Sequence, residues 1–168
     1  WVFEENGELR KISLVMKGDK NTKKIVGKVS KSRIKKEPYK DIIEKESEVE
    51  YKKGENLVLA KPELTEELLP RNYFLFQKLK LNKDIFNKLE IEDKAYSYET
   101  DRYDVVYKIT NNEINDYFNL SNEQIKLGVS GEYNEEDKTY FHTISVSDKN
   151  RDFYEKIVEE GDISKNAE

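Results

Sequence analysis

At 168 residues and a net charge of -5, the chain has the size of one domain and an acidic balance that disfavours nucleic acid as a partner. Hydrophobic residues make up 36% and charged residues 39%, so the core must be lean, while 11 Tyr and 7 Phe exclude a disordered composition. With no cysteine it forms no disulfide, thiolate metal site or Cys nucleophile, and no apolar run reaches the roughly 18 residues of a membrane-spanning helix.

Residues 1–34 read as strands. Trp1-Val2-Phe3 opens one, and Asn6-Gly7 marks a tight hairpin because both turn positions take positive φ. Leu9 to Met16 resumes with Ile12, Leu14 and Met16 on one face, and a second turn is expected at Gly18-Asp19-Lys20-Asn21. From Thr22 to Ile34, the set Lys23, Ile25, Gly27, Val29 alternates with Lys24, Val26, Lys28, Ser30. The second set, rich in lysine, is expected to face water. Tyr39 to Glu46 fits a short helix or a connection. Glu48 to Tyr51 and Asn56 to Ala60 fit strands around Lys53-Gly54-Glu55-Asn56.

Thr65 followed by Glu66 and Glu67 reads as a helix N-cap with acids near the positive end of the dipole, and Pro70 must start a new helix or kink this one. Tyr73, Phe74, Leu75, Phe76 and Leu79 then fit a helix with a wide apolar face, and Ile85, Phe86 and Leu89 a second short piece. Strands return with Tyr96 and Tyr98 on one face and Tyr103, Val105, Tyr107 and Ile109 on another. Asn111 or Asn112 caps a helix to Phe118 with Ile114, Tyr117 and Phe118 inward, and a hairpin joins Gln124–Tyr133 to Thr139–Val146 around Asn134-Glu135-Glu136-Asp137. Phe153, Ile157 and Val158 predict a helix over Asn150 to Glu160, stopped by Gly161. The fold class expected is α+β: a curved antiparallel sheet with a few short helices packed on one face, as one domain over 1–148 with a helical tail over 149–168.

Few of these residues suggest chemistry. His142 is the only histidine, so a multi-His metal site is impossible and a Ser–His–Asp triad would depend on this one ring. Val129-Ser130-Gly131 is not the strained elbow such a serine needs, and we read His142 as an ordinary strand residue. Gly27-Lys28 lacks the spacing and the hydroxyl residue of a phosphate loop. Asp148, Asn150, Asp152 and Glu159 fall at calcium-loop positions, but Phe153 stands where the turn needs glycine, so Asp148 or Asn150 reads as a helix cap. The aromatic strands could stack sugars, although rings at period two more often form a core. From Lys17 to Lys40, ten basic residues stand against Asp19 and Glu37, a local +8 that leaves -13 elsewhere. This stretch is either a solvated face or a docking surface for a polyanion, with Lys20, Lys23, Lys24, Lys28, Lys31 and Arg33 as its candidate residues.

The segment Leu14 to Gly27 (LVMKGDKNTKKIVG), following a Trp-led strand, resembles the staphylococcal tandem lipoproteins. The likeness continues through Asn56 to Pro62, the helix holding Tyr73-Phe74-Leu75-Phe76, Ser97-Tyr98 to Lys108 with Tyr103 and Tyr107, Asn111-Asn112, and Leu127-Gly128-Val129-Ser130-Gly131. Pro70 and the segment after Asp148 depart from the family pattern. The resemblance implies a Gram-positive surface lipoprotein of an uncharacterised family, exported by a signal peptide and held outside the cell membrane by an N-terminal lipid ahead of Trp1. It further implies an antigen implicated in host interaction, and it offers no catalytic residue to carry over. The expectation is therefore a non-catalytic, membrane-anchored binding module without cofactor or metal, whose partners are an anionic membrane surface or cell-wall polymer and a host protein. The alternative is a carrier of a small lipid or sugar with a pocket under the helices; a hydrolase hidden around His142 ranks behind both.

Overall fold

A computed structural model describes residues 1–19, 21–52, 54, 56–79, 82–121, 124–136, 138–148 and 151–160. The ten strands among them all run antiparallel to their neighbours, and the four α-helices are short. The chain divides into two compact units, Trp1–Lys78 with Asn150–Asp152, and Leu79–Lys149 with Phe153–Glu168. Among the described residues no helix is long and apolar enough to cross a membrane.

In the first unit, β1 (Val2–Glu5), β2 (Glu8–Asp19), β3 (Lys24–Lys36), β4 (Tyr39–Lys52) and β5 (Asn56–Leu59) lie side by side in chain order. Asn6 and Gly7 take φ of 54° and 76° and make the expected tight turn between β1 and β2. The next turn lies further along than expected. Gly18 and Asp19 stay in β2, and the positive φ falls on Lys23. The Lys20 part of that expectation, like Lys53 and Glu55 of the β4–β5 turn, lies outside the described residues.

Tyr39 to Glu46 is neither helix nor connection, because β4 is continuous from Tyr39 to Lys52. Its ladder with β3 supplies partners for the backbone over its whole length, and a bulge opposite Lys31 and Ser32 absorbs Glu44. Tertiary pairing here overrides weak local preference.

The register puts Ile12 beside Lys31, Leu14 beside Val29, Val29 beside Ser47 and Val49 beside Leu59, so these residues share a face. That face is closed by Leu64, Leu68 and Leu69, with Trp1, Phe3 and Phe74 packed against the cluster. Each fully buried aliphatic side chain contributes about 1.5–3 kcal/mol. The leucines come from a 3-10 turn, Pro62–Leu64, that runs into α1 (Thr65–Leu68). Thr65 is therefore not the N-cap. Its N–H donates to the Pro62 carbonyl, and Leu64 before it is already helical. Leu69, at φ -140°, ends the helix after one turn because the residue before Pro70 is pushed out of the α region. The apolar run after it yields only α2 (Leu75–Lys78), with Leu75 fully buried.

The second unit contains α3 (Lys83–Phe86), β6 (Glu90–Ser97), β7 (Arg102–Ile109), α4 (Asn112–Phe118), β8 (Ile125–Asn134), β9 (Thr139–Asp148) and most of β10 (Arg151–Glu160). Asn111 caps α4, its side-chain oxygen accepting from the Ile114 N–H at 3.0 Å. Asn119 closes the helix in the left-handed region at φ 55°. Ile109, Ile125, Leu127, Ile144 and Val146 are buried on one face, and α4 adds Ile114 and Phe118.

The tail expected as a helix is the strand β10, neighbour to β9. The sequence Phe153-Tyr154-Glu155-Lys156-Ile157-Val158 places apolar pairs four residues apart, which satisfies a helical stripe. In an extended chain each pair gives one residue to either face. Phe153 goes inward, its ring 5.0 Å from Phe118 and 5.5 Å from Tyr117, while Tyr154 is exposed. The expected stop at Gly161 lies outside the described residues.

Candidate functional site

Period-two geometry separates the six basic candidates instead of gathering them. Lys20 lies outside the described residues. Lys23 and Lys24 are exposed at the β2–β3 turn. Lys28 points to the open face of the ribbon and bonds Glu46 at 2.7 Å. Lys31 has the parity of Val29 and is only 7% exposed. Its ammonium donates to Glu5 at 2.9 and 3.1 Å and to Glu67 of α1 at 3.4 Å. Arg33, on the same side, reaches Glu8 at 3.2 Å and Glu44 at 3.8 Å.

Two further cations complete this array. Arg10 meets Glu8 at 2.7 Å, Glu44 at 3.0 Å and Glu5 at 3.4 Å, and Lys45 bonds Glu67. Four cations thus stand among four carboxylates, a neutral lattice at the edge of the apolar cluster. The lattice sets the protonation of its members. Hydrogen bonding to Lys31 holds the Glu5 carboxyl below its ordinary value of 4.5, and Lys45 does the same for Glu67. Burial pulls the Lys31 ammonium down, but its bonds to Glu5 and Glu67 outweigh that and leave it above 10.5. The signal for this pairing was present in the sequence. Lys31 and Arg33 continue the Ile25, Gly27, Val29 set, and Glu5 and Glu8 flank the first turn.

The second unit carries a surface of different character. Tyr96 pairs with Tyr103, Tyr103 with Gly131, and Gly131 with His142, while Tyr133 pairs with Tyr140 one row on. Residues paired across strands point to the same side, so five tyrosine and histidine side chains share one sheet face. Gly131 is what lets them pack. A Cβ there would lie 2.6 Å from Cε1 of Tyr103, whose ring occupies that space. Burial, with Tyr140 as a hydrogen-bonding neighbour, raises the Tyr103 hydroxyl above its ordinary 10.0. His142 stands edge-on to Tyr140 at 4.5 Å between ring centroids. Towards the Tyr98 turn the face opens: Tyr96 is 50% exposed and Tyr98 91%, their rings edge to face at 4.7 Å. The Tyr96 hydroxyl donates to Asp101, which fixes the outer ring. The sequence put Tyr96 and Tyr98 on one face and Tyr103 on another. Only the β6–β7 register joins them, and only the β8–β9 register brings Tyr133 and Tyr140 onto the same side.

The remaining motifs find no joint geometry. Ser130 pairs with Thr143, on the side of the sheet opposite His142, so no Ser–His pair forms there. Gly27 and Lys28 are mid-strand. Asp152 and Glu159 lie along one extended strand, which removes the calcium-loop curvature, and Asn150 is outside the described residues. Under α1, Leu68 and Leu69 belong to the buried apolar cluster of the first unit. No family model matches the chain, and no curated protein matches it.

Proposed function

We propose that this protein is a non-catalytic binding module of the bacterial cell surface, held at the outer side of the membrane and meeting its partner through the tyrosine face of β6–β9. The location rests on the resemblance to the tandem lipoproteins. The mode of binding rests on one observation, the contiguous rings of Tyr96, Tyr98, Tyr103, Tyr133 and Tyr140 with the outer two open to solvent. Tyrosine offers a large apolar ring with a polar tip and few rotors, which is why it recurs at binding surfaces and stacks on sugars. Rings on one sheet face, with the outer two open to solvent, suit a glycan chain of the wall or a host protein better than a small enclosed ligand.

The test is retention on two immobilised partners, purified delipidated wall glycan and host extracellular-matrix protein. The wild-type chain should be retained on one of them. Tyr96→Ala/Tyr98→Ala should weaken that retention by about tenfold or more, with His142→Ala much less effective because its ring lies deeper in the row. Equal retention of wild type and the double variant would end the proposal.

A further inference from the structure

Where the basic stretch is not neutralised by its own fold is informative. Lys35, Lys36 and Lys40 stand at the β3–β4 hairpin end, all exposed and without a carboxylate partner among the described residues. The acids nearby are Glu37 in the turn, Glu4 and Glu8, which line a shallow hollow with Lys35 and Lys36 but make no ion pair with them, and Asp41, which is held by Lys11 at 2.9 Å. Lys36 pairs with Tyr39, Ile34 with Asp41 and Ser32 with Ile43, so Tyr39, Ile43, Ile34 and Lys36 lie on one side of the hairpin. Lys35 and Lys40 pair on the other side. Tyr39 is 73% exposed and Ile43 58%, large apolar areas left in water on the side of Lys36, with Lys35 and Lys40 on the reverse side of the same hairpin end.

A soluble partner of pure charge would use the lysines and leave Tyr39 and Ile43 idle. The headgroup layer of an anionic bilayer uses all of them. Tyrosine settles at the interface with its hydroxyl wet, an aliphatic side chain enters the acyl boundary, and lysines meet lipid phosphates. The lattice of Arg10, Lys31, Arg33 and Lys45, already matched by carboxylates, is not available for this role. A planar surface can be met by a hairpin end without a groove. We infer that the β3–β4 hairpin docks on anionic lipid, with Tyr39 and Ile43 seated at the interface and Lys35, Lys36 and Lys40 against the headgroups. This deepens the membrane-proximal reading proposed above and rests on it for location only.

The experiment is flotation with vesicles of phosphatidylcholine, with and without phosphatidylglycerol. The chain should bind the anionic vesicles alone, and less as salt rises. Lys35→Glu/Lys36→Glu/Lys40→Glu should weaken binding by about 100-fold, some fivefold per lysine. Tyr39→Ser/Ile43→Ser should weaken it by about tenfold while keeping the salt dependence. Lys28→Gln, which breaks only a pair with Glu46, and Tyr96→Ala/Tyr98→Ala should bind as wild type. All variants keep the wild-type circular dichroism spectrum, since the changes are at exposed positions. Loss of vesicle binding with retention on glycan or matrix protein intact would remove this inference and leave the tyrosine face standing. Absent binding of the wild type, an undiminished triple variant, or binding indifferent to Tyr39 and Ile43 yet abolished by soluble polyphosphate would each overturn it.

Discussion

Lys31 shows how one side chain changes meaning between a sequence and a fold. As one of ten basic residues it reads as surface; on the Val29 side of β3 it becomes a buried cation with Glu5 and Glu67 for partners. Both carboxylates keep partial contact with water, so losing the lysine does not strand a buried charge. Lys31→Ala should cost roughly 1–2 kcal/mol, less than a fully enclosed pair. The sign of its pH dependence follows from the shifts. Glu5 and Glu67 are depressed, so their contribution is whole above the ordinary carboxylate value of 4.5 and lost as pH falls through the lower folded value. Lys31 is raised, so its contribution is whole below 10.5 and lost as pH rises past it. Urea midpoints measured across pH should therefore decline at both ends, and Lys31→Met should flatten both declines. Parallel curves for the two proteins would show that the lattice is decorative.

At the scale of elements, the first hairpin turn and the α4 cap are the most legible parts of the sequence. Asn6-Gly7 fixes β1 and β2 because few residues tolerate positive φ, and Asn111 caps α4 because its side chain can reach the Ile114 N–H. What was not legible depends on neighbours far along the chain. Tyr39 to Glu46 becomes strand through β3, and the tail becomes strand beside β9. In both, the local pattern serves two periods and pairing decides. The tail can be checked residue by residue. Phe153→Ala should cost about 3 kcal/mol and Tyr154→Ala no more than about 0.5 kcal/mol, by chemical denaturation. Comparable losses would favour a helix that buries both.

Two glycines in the long ribbon test the packing of β2 on β3. A Cβ on Gly27 would lie 2.7 Å from the Met16 Cα and run into the Val15 carbonyl, backbone that cannot swing away. On Gly18 it would meet only Ile25 Cγ1 at 3.7 Å, an ordinary contact. Gly27→Ala should destabilise by about 3 kcal/mol, and Gly18→Ala should be neutral or slightly stabilising. The reverse order in thermal melts would mean the register of this ribbon is wrong.

For the whole molecule, the net charge of -5 and the local +8 suggested an electrical function for the basic stretch. The fold redistributes it. Arg33, Lys31 and Lys28 are matched by carboxylates from other strands and from α1, and unpaired lysines remain at the ends of the ribbon. The tyrosine face, by contrast, was only half visible, because its rows come from four strands whose register no single segment encodes. Binding through rings and binding through charge differ in one property that is simple to read. Retention on glycan or matrix protein, followed across rising salt, should stay level for the wild-type chain and be weaker by about tenfold or more for Tyr96→Ala/Tyr98→Ala at every salt concentration. Retention that falls steeply with salt and survives loss of the two rings would contradict a tyrosine-led binding surface.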